Sequence, residues 1–218
     1  FDDSRPDLHA DFDSLRPGES TSQGATRRTA LKAALGAGYA AAALPIAAQT
    51  AISTATDGLQ AGPVKYTVNG FQVPAYAAAP SGKTGLPVVL VVQEIFGVHE
   101  YIADVCRRFA KLGYLAIAPD LYARQGDASK YTEIPKLMSE LVSKVPDAQV
   151  MADLDGALQY AAANGGDVSK AGITGFCWGG RVVWLYAATG KVKAGVAWYG
   201  RLVGQSSELT PKHPVDVA

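Results

Sequence analysis

Residues 172–180 read GITGFCWGG, a stretch that could make a thiol reactive. Ala171-Gly172-Ile173-Thr174-Gly175 reads as a buried strand and Trp178–Ala188 as a helix, with Cys177 at the junction. A nucleophile on such a strand-to-helix turn is lifted above the sheet by a strained backbone. Side chains two residues before it and two after it would meet the neighbouring strand and helix, and glycine at 175 and 179 removes them. The helix start adds free N–H groups and the positive end of a dipole, which favour an anion. The thiolate is the reactive form of cysteine, and the Trp178 backbone N–H is placed to serve as an oxyanion donor. The competing reading is a buried free cysteine in a Gly-rich turn.

In an open parallel sheet, chemistry gathers at the carboxyl ends of the strands. Gln93-Glu94-Ile95-Phe96-Gly97 follows an apolar run at 87–92, and Asp120-Leu121-Tyr122-Ala123-Arg124 follows another at 113–118. These two clusters and Gly175–Gly179 are predicted to converge on one rim. No His/Cys/carboxylate cluster has metal-ligand spacing and there is no dinucleotide fingerprint, so neither a metal nor an organic cofactor is expected. Twenty basic and 20 acidic side chains give a net charge of zero, which argues against a nucleic-acid surface. The two cysteines are too few for a disulfide framework. Cys106 recurs at helical spacing with Ile102, Val105, Phe109 and Leu112, and reads as a small buried apolar residue.

The elements that must position these groups follow from the pattern. With 218 residues and about half of them apolar, the chain suits one α/β domain. Residues 1–25 are polar and aperiodic, an expected disordered tail. Residues 26–50 carry Arg27-Arg28 before a short Ala/Gly-rich apolar run with small residues near Ala48. That layout fits a secretory signal of the twin-arginine type better than a membrane span, although Ala30 stands where a bulky apolar residue is usual. It predicts the export machinery as a partner, no stable membrane anchor, and a location outside the cytoplasm, in a bacterial periplasm. The alternative is an Ala-rich surface helix with incidental arginines. The folded domain is expected over 62–218. Strands at 64–68 and 71–79 flank Asn69-Gly70, a hairpin signal. Strands at 87–92, 113–118, 171–175 and 192–198 alternate with helices at 100–112, 132–144, 148–164 and 178–188, and a last strand is expected from Pro214. This order predicts a mostly parallel sheet flanked by helices on both faces.

Three runs together, QEIFGVHEYIADVCRRFAKLGYLAIAPDLYARQGD, GITGFCWGG and GVAWYG, resemble the dienelactone hydrolases over roughly residues 64–218. The resemblance implies an α/β-hydrolase fold and hydrolysis of a small carboxylated lactone or ester. It makes Cys177 the nucleophile and assigns the oxyanion hole to the backbone N–H groups of Ile95 and Trp178. It places Glu94 beside the thiol, Arg124 on the substrate carboxylate and Tyr199 in the pocket lining. The planar guanidinium of arginine suits a carboxylate. Each residue has a plainer reading: Glu94 as a helix-start carboxylate, Arg124 as a solvated loop charge, Tyr199 as a rim aromatic. A glutaminase-like or DJ-1-like cysteine enzyme and a non-catalytic ligand-binding domain are the alternative functions.

An α/β-hydrolase triad runs nucleophile, acid, histidine along the chain. His9 lies in the polar tail, His99 reads as a helix-start surface residue, and His213 and Asp216 fall near the start of the expected last strand. The triad acid and histidine are therefore expected beyond Ala218. The chain is read as a domain incomplete at the C-terminus, unable alone to complete turnover, with part of one sheet edge uncovered.

Overall fold

The computed structural model describes residues 53–218. The polar tail with His9 and the twin-arginine-type segment lie outside them. Strands β1 (Leu59–Val68) and β2 (Phe71–Pro80) form the expected antiparallel hairpin. Asn69 and Gly70 both have positive φ, 49° and 79°, the turn geometry that matches the twist of paired strands. The first strand begins at Leu59, ahead of the expected Val64. Pro63 does not stop it, because β1 is the edge of the sheet, where proline is tolerated.

The rest alternates as the pattern requires: β3 (Leu86–Val92), α1 (Glu100–Lys111), β4 (Leu115–Pro119), α2 (Asp147–Ala163), β5 (Gly166–Phe176), α3 (Trp178–Ala187) and β6 (Ala194–Trp198). The sheet order is β1-β2-β4-β3-β5-β6, with β4, β3, β5 and β6 parallel. β5 starts earlier than its apolar run. Gly166 and Asp167 pair with Leu86 and Pro87, and the ladder resumes at Ala171 opposite Val88. The Asp167 carboxylate accepts from the Ser169 N–H (3.1 Å), so a small polar turn bridges the irregularity.

Two expected elements differ. The helix over 132–144 is broken into a turn of α-helix at Ile134–Lys136, a π turn at Leu137–Leu141 and a 3-10 turn at Val142–Lys144. The change of pitch buries Leu137, Leu141 and Val142 together, which one regular pitch does not do. The strand expected from Pro214 is a single 3-10 turn, Pro214–Asp216. The His213 N–H donates to the Asp216 carboxylate (2.7 Å), so a local side chain takes the donor that a ladder would need.

β3 is buried on both faces, as its unbroken apolar run implies. Val88, Leu90 and Val92 pack with Val150 and Leu154 of α2 and Val182 and Val183 of α3. Val89 and Val91 point the other way, to Ile102, Val105 and Cys106 of α1. Helix α1 has Glu100 in its first turn and Arg108 and Lys111 in its last, the order its dipole favours. Beyond α1 no described element covers the same face. Phe176 and Trp198 border an apolar groove of about 480 Å³, with Tyr101, Phe109 and Leu112 on its helix side. No helix among the described residues is long and apolar enough to cross a membrane.

Candidate active site

Parallel register fixes the first part of the site. Val92 pairs with Gly175, so Gln93-Glu94 leaves β3 beside the point where Phe176-Cys177 leaves β5. Cys177 adopts φ 54° and ψ −113°, a backbone region that side chains disfavour. Its N–H donates to the Trp198 carbonyl (3.0 Å) and its carbonyl accepts from the Gly180 N–H (3.0 Å), which hold the turn from both sides. The glycines are required by close approach. A Cβ on Gly175 would lie 2.6 Å from the Gly179 carbonyl oxygen, and one on Gly179 would lie 2.5 Å from that of Gln93. Helix α3 thereby starts directly against the end of β3.

Cys177 is half-buried, whereas Cys106 is wholly enclosed. Burial pushes the Cys106 thiol far above its ordinary range, with the charge of Arg107 only partly opposing. No acceptor among the described residues takes the N–H of Ile95 or of Trp178. Two free donors therefore flank the strained thiol, the arrangement that an oxyanion requires.

Four side chains surround this centre. Glu94 is nearly buried, and its Oε2 lies 3.0 Å from His99 Nε2. The Tyr122 hydroxyl donates to the Glu94 carbonyl (3.3 Å), and its ring packs on Trp178 with centroids 5.0 Å apart. Burial raises the Tyr122 hydroxyl well above the ordinary phenol range, and the negative charge of Cys177 adds to this. Tyr199 follows β6 with φ 41° and is 71% exposed. Partial burial of its hydroxyl end, then the charges of Glu94 and Cys177, raise that phenol as well. Strand register sets Glu94 beside the elbow, the Tyr122 hydroxyl reaches the Glu94 carbonyl, and Tyr199 lies 6.4 Å from Phe176, ring centroid to centroid, which gathers the four around the turn. Gln93 is wholly buried, with neither end of its amide hydrogen-bonded among the described residues.

Arg124 is placed elsewhere. Its guanidinium pairs with Asp153 of α2, donates to the Val68 carbonyl (3.4 Å) and lies 4.4 Å from the Phe71 ring centroid. Those partners belong to the β1–β2 end of the sheet, with β4 and β3 between them and β5. Paired strand ends bring Gln93-Glu94 to the elbow, Tyr122 of the 120–124 run packs on Trp178, and the guanidinium of Arg124 is engaged by Asp153, Val68 and Phe71.

His99 departs from its expected role as a surface residue. It caps α1, its side chain is 16% exposed, and it faces Glu94. Its cap position was legible in the sequence, but the contact across the β3–α1 loop carries no spacing signal. Tyr122, too, was legible only as part of its run. His213 is structural. Its Nδ1 accepts from Arg181 Nε (3.4 Å), and Arg181 makes a two-pronged pair with Asp147 (2.7 Å each). No histidine among the described residues is hydrogen-bonded to Cys177. No group of three or more His, Cys, Asp or Glu among them is placed to hold a metal ion.

Comparison with known proteins gives a consistent result. A profile of the dienelactone hydrolase family matches residues 73–217. A Methylorubrum extorquens protein provisionally named a carboxymethylenebutenolidase is 60% identical over 195 residues, 88% of this chain and 67% of that protein. The carboxymethylenebutenolidase of Pseudomonas putida is 32% identical over 152 residues, covering 67% and 64%. A crystal structure of a provisionally assigned dienelactone hydrolase from Klebsiella pneumoniae superposes with a TM-score of 0.71 at 59% identity, covering 73% of this chain and 67% of that one.

Proposed function

The chain belongs to the dienelactone hydrolase family, and from that premise we propose that Cys177 is the nucleophile of an esterase acting on small carboxylated lactones or esters. One observation carries this reading: a cysteine at φ 54°, on a turn where a Cβ at 175 or 179 would lie 2.6 Å or 2.5 Å from a backbone carbonyl oxygen, with N–H groups at Ile95 and Trp178 that no described residue accepts. The sulfur attacks the carbonyl carbon and the oxyanion forms between the two N–H groups. The ring C–O bond breaks, leaving a thioester on the opened chain, and the leaving oxygen takes up the proton that the thiol has lost. Water then attacks the thioester, releases the acid and returns a proton to sulfur. Glu94 leaves β3 next to the turn that carries the thiol, as the resemblance implies for its role.

Arg124 is assigned to the substrate carboxylate by resemblance. In that role the guanidinium must exchange Asp153 for the substrate. Arg124→Ala is then expected to weaken acidic substrates more than neutral esters. Export through Arg27-Arg28 places the enzyme in the periplasm, and cell fractionation checks it. A silent binding domain is the second reading, favoured by the lack of an imidazole on Cys177 among the described residues.

The deciding experiment is acyl trapping. Incubation with p-nitrophenyl acetate is expected to add one acetyl group at Cys177, read by intact mass and peptide mapping, and to add none there in Cys177→Ala. Equal phenolate release by that variant would remove the assignment.

A further inference from the structure

We propose that His99 is a positioning residue for Glu94 and, through it, sets the reactivity of the Cys177 sulfur. This rests on the reading of Cys177 as the reactive thiol. The Tyr101 N–H donates to His99 Nδ1 (3.3 Å), so that nitrogen carries the lone pair and Nε2 carries the hydrogen. Nε2 lies 3.0 Å from Glu94 Oε2 and therefore donates to the carboxylate. The ring is fixed from two further directions. Its backbone is the N-cap of the twelve-residue helix α1, with the Ala103 N–H donating to the His99 carbonyl (3.0 Å), and its face stacks on Tyr101 with centroids 6.3 Å apart. Glu94 is held at its other end by the Tyr122 hydroxyl on its carbonyl. Among the described residues His99 is the one side chain bonded to the Glu94 carboxylate, and both side chains are largely shielded, 16% and 12% exposed.

The consequence is directional. A bare carboxylate beside a thiol opposes the thiolate. A donor on that carboxylate draws charge toward the imidazole and stops the side chain from swinging freely. Removing the ring leaves the whole charge of Glu94 to act on the sulfur, so the sulfur reacts more slowly.

His99 also caps a helix, and the variants separate the two roles. His99→Asn keeps a good cap but is too short to reach Glu94. His99→Gln can reach Glu94 with an amide N–H but caps poorly. The readout is the rate of Cys177 carbamidomethylation by iodoacetamide at neutral pH, with thermal unfolding measured alongside. Cys106 is wholly buried, and Cys177→Ala supplies the blank. His99→Asn is expected to slow the reaction about fivefold while melting like the parent, and His99→Gln to recover the rate while melting lower. In a Glu94→Gln background His99→Asn is expected to have no effect on the rate. An unchanged rate in His99→Asn, or the same slowing in the Glu94→Gln background, overturns the proposal alone. If the parent reacts no faster than the Cys177→Ala blank, the reading of Cys177 falls and the proposal with it.

Discussion

At the scale of single residues, the rim crowds polar groups into a partly buried space, and burial raises the phenols of Tyr122 and Tyr199. Asp120, at the end of β4, belongs to the same rim. Burial raises its carboxyl above the ordinary range, opposed by the Tyr122 N–H (3.1 Å) and reinforced by Asp127. A carboxyl raised on folding binds protons more tightly in the native state. Stability therefore falls as pH rises from the ordinary carboxylate range through the folded value, and the cost is fully present at neutral pH. Asp120→Asn keeps an acceptor for the Tyr122 N–H and removes the buried charge. It is expected to raise the urea midpoint at neutral pH, with the gain vanishing as pH drops below the ordinary carboxylate range. Residue types told most of the rim in advance. Cys177 and Glu94 stood out because charge and thiol directly after apolar runs have few structural uses. The Arg124–Asp153 pair was not legible, because Asp153 lies 29 residues away with nothing in its spacing to announce the contact.

At the scale of elements, the junction of β5 and α3 decides whether the site exists. Gly179 touches the backbone of Gln93 and Val92, which cannot retreat without unpairing β3 from β5. Gly179→Ala is expected to cost about 3 kcal/mol in chemical denaturation and to abolish Cys177 alkylation. Gly172→Ala is the control: its Cβ would lie 3.5 Å from the Ala194 carbonyl, an ordinary contact, so the stability change stays below about 1 kcal/mol. The alternation of apolar strand and amphipathic helix made these elements readable, and the Asn69-Gly70 turn made the hairpin readable. Two elements escaped because local competition ruled them. The 134–144 stretch changes pitch so that Val142, five residues on, joins Leu137 and Leu141 on the buried face, and the Asp216 carboxylate diverts the chain from the strand at Pro214.

At the scale of the whole molecule, the two faces of the sheet are unequal. One carries α2 and α3, and the other carries α1 over its middle and leaves β5 and β6 open. Val196 and Trp198 are 51% and 50% exposed on the last strand of the sheet. An apolar patch beside an unpaired edge favours association. Residues 53–218 are expected to sediment as a concentration-dependent mixture, and Val196→Lys is expected to shift it toward monomer; a concentration-independent monomer in the parent would contradict this. Composition bounded the size of the core, but which face stays open depends on the packing of α1, which no local pattern records.

The turn at Cys177 has an evolutionary corollary. Its φ of 54° and ψ of −113° suit glycine better than any residue with a side chain. A selection for heat resistance alone would drive position 177 to glycine, gaining on the order of 1 kcal/mol and losing the sulfur. Under the role proposed for the sulfur, thermal robustness and turnover pull this one position in opposite directions.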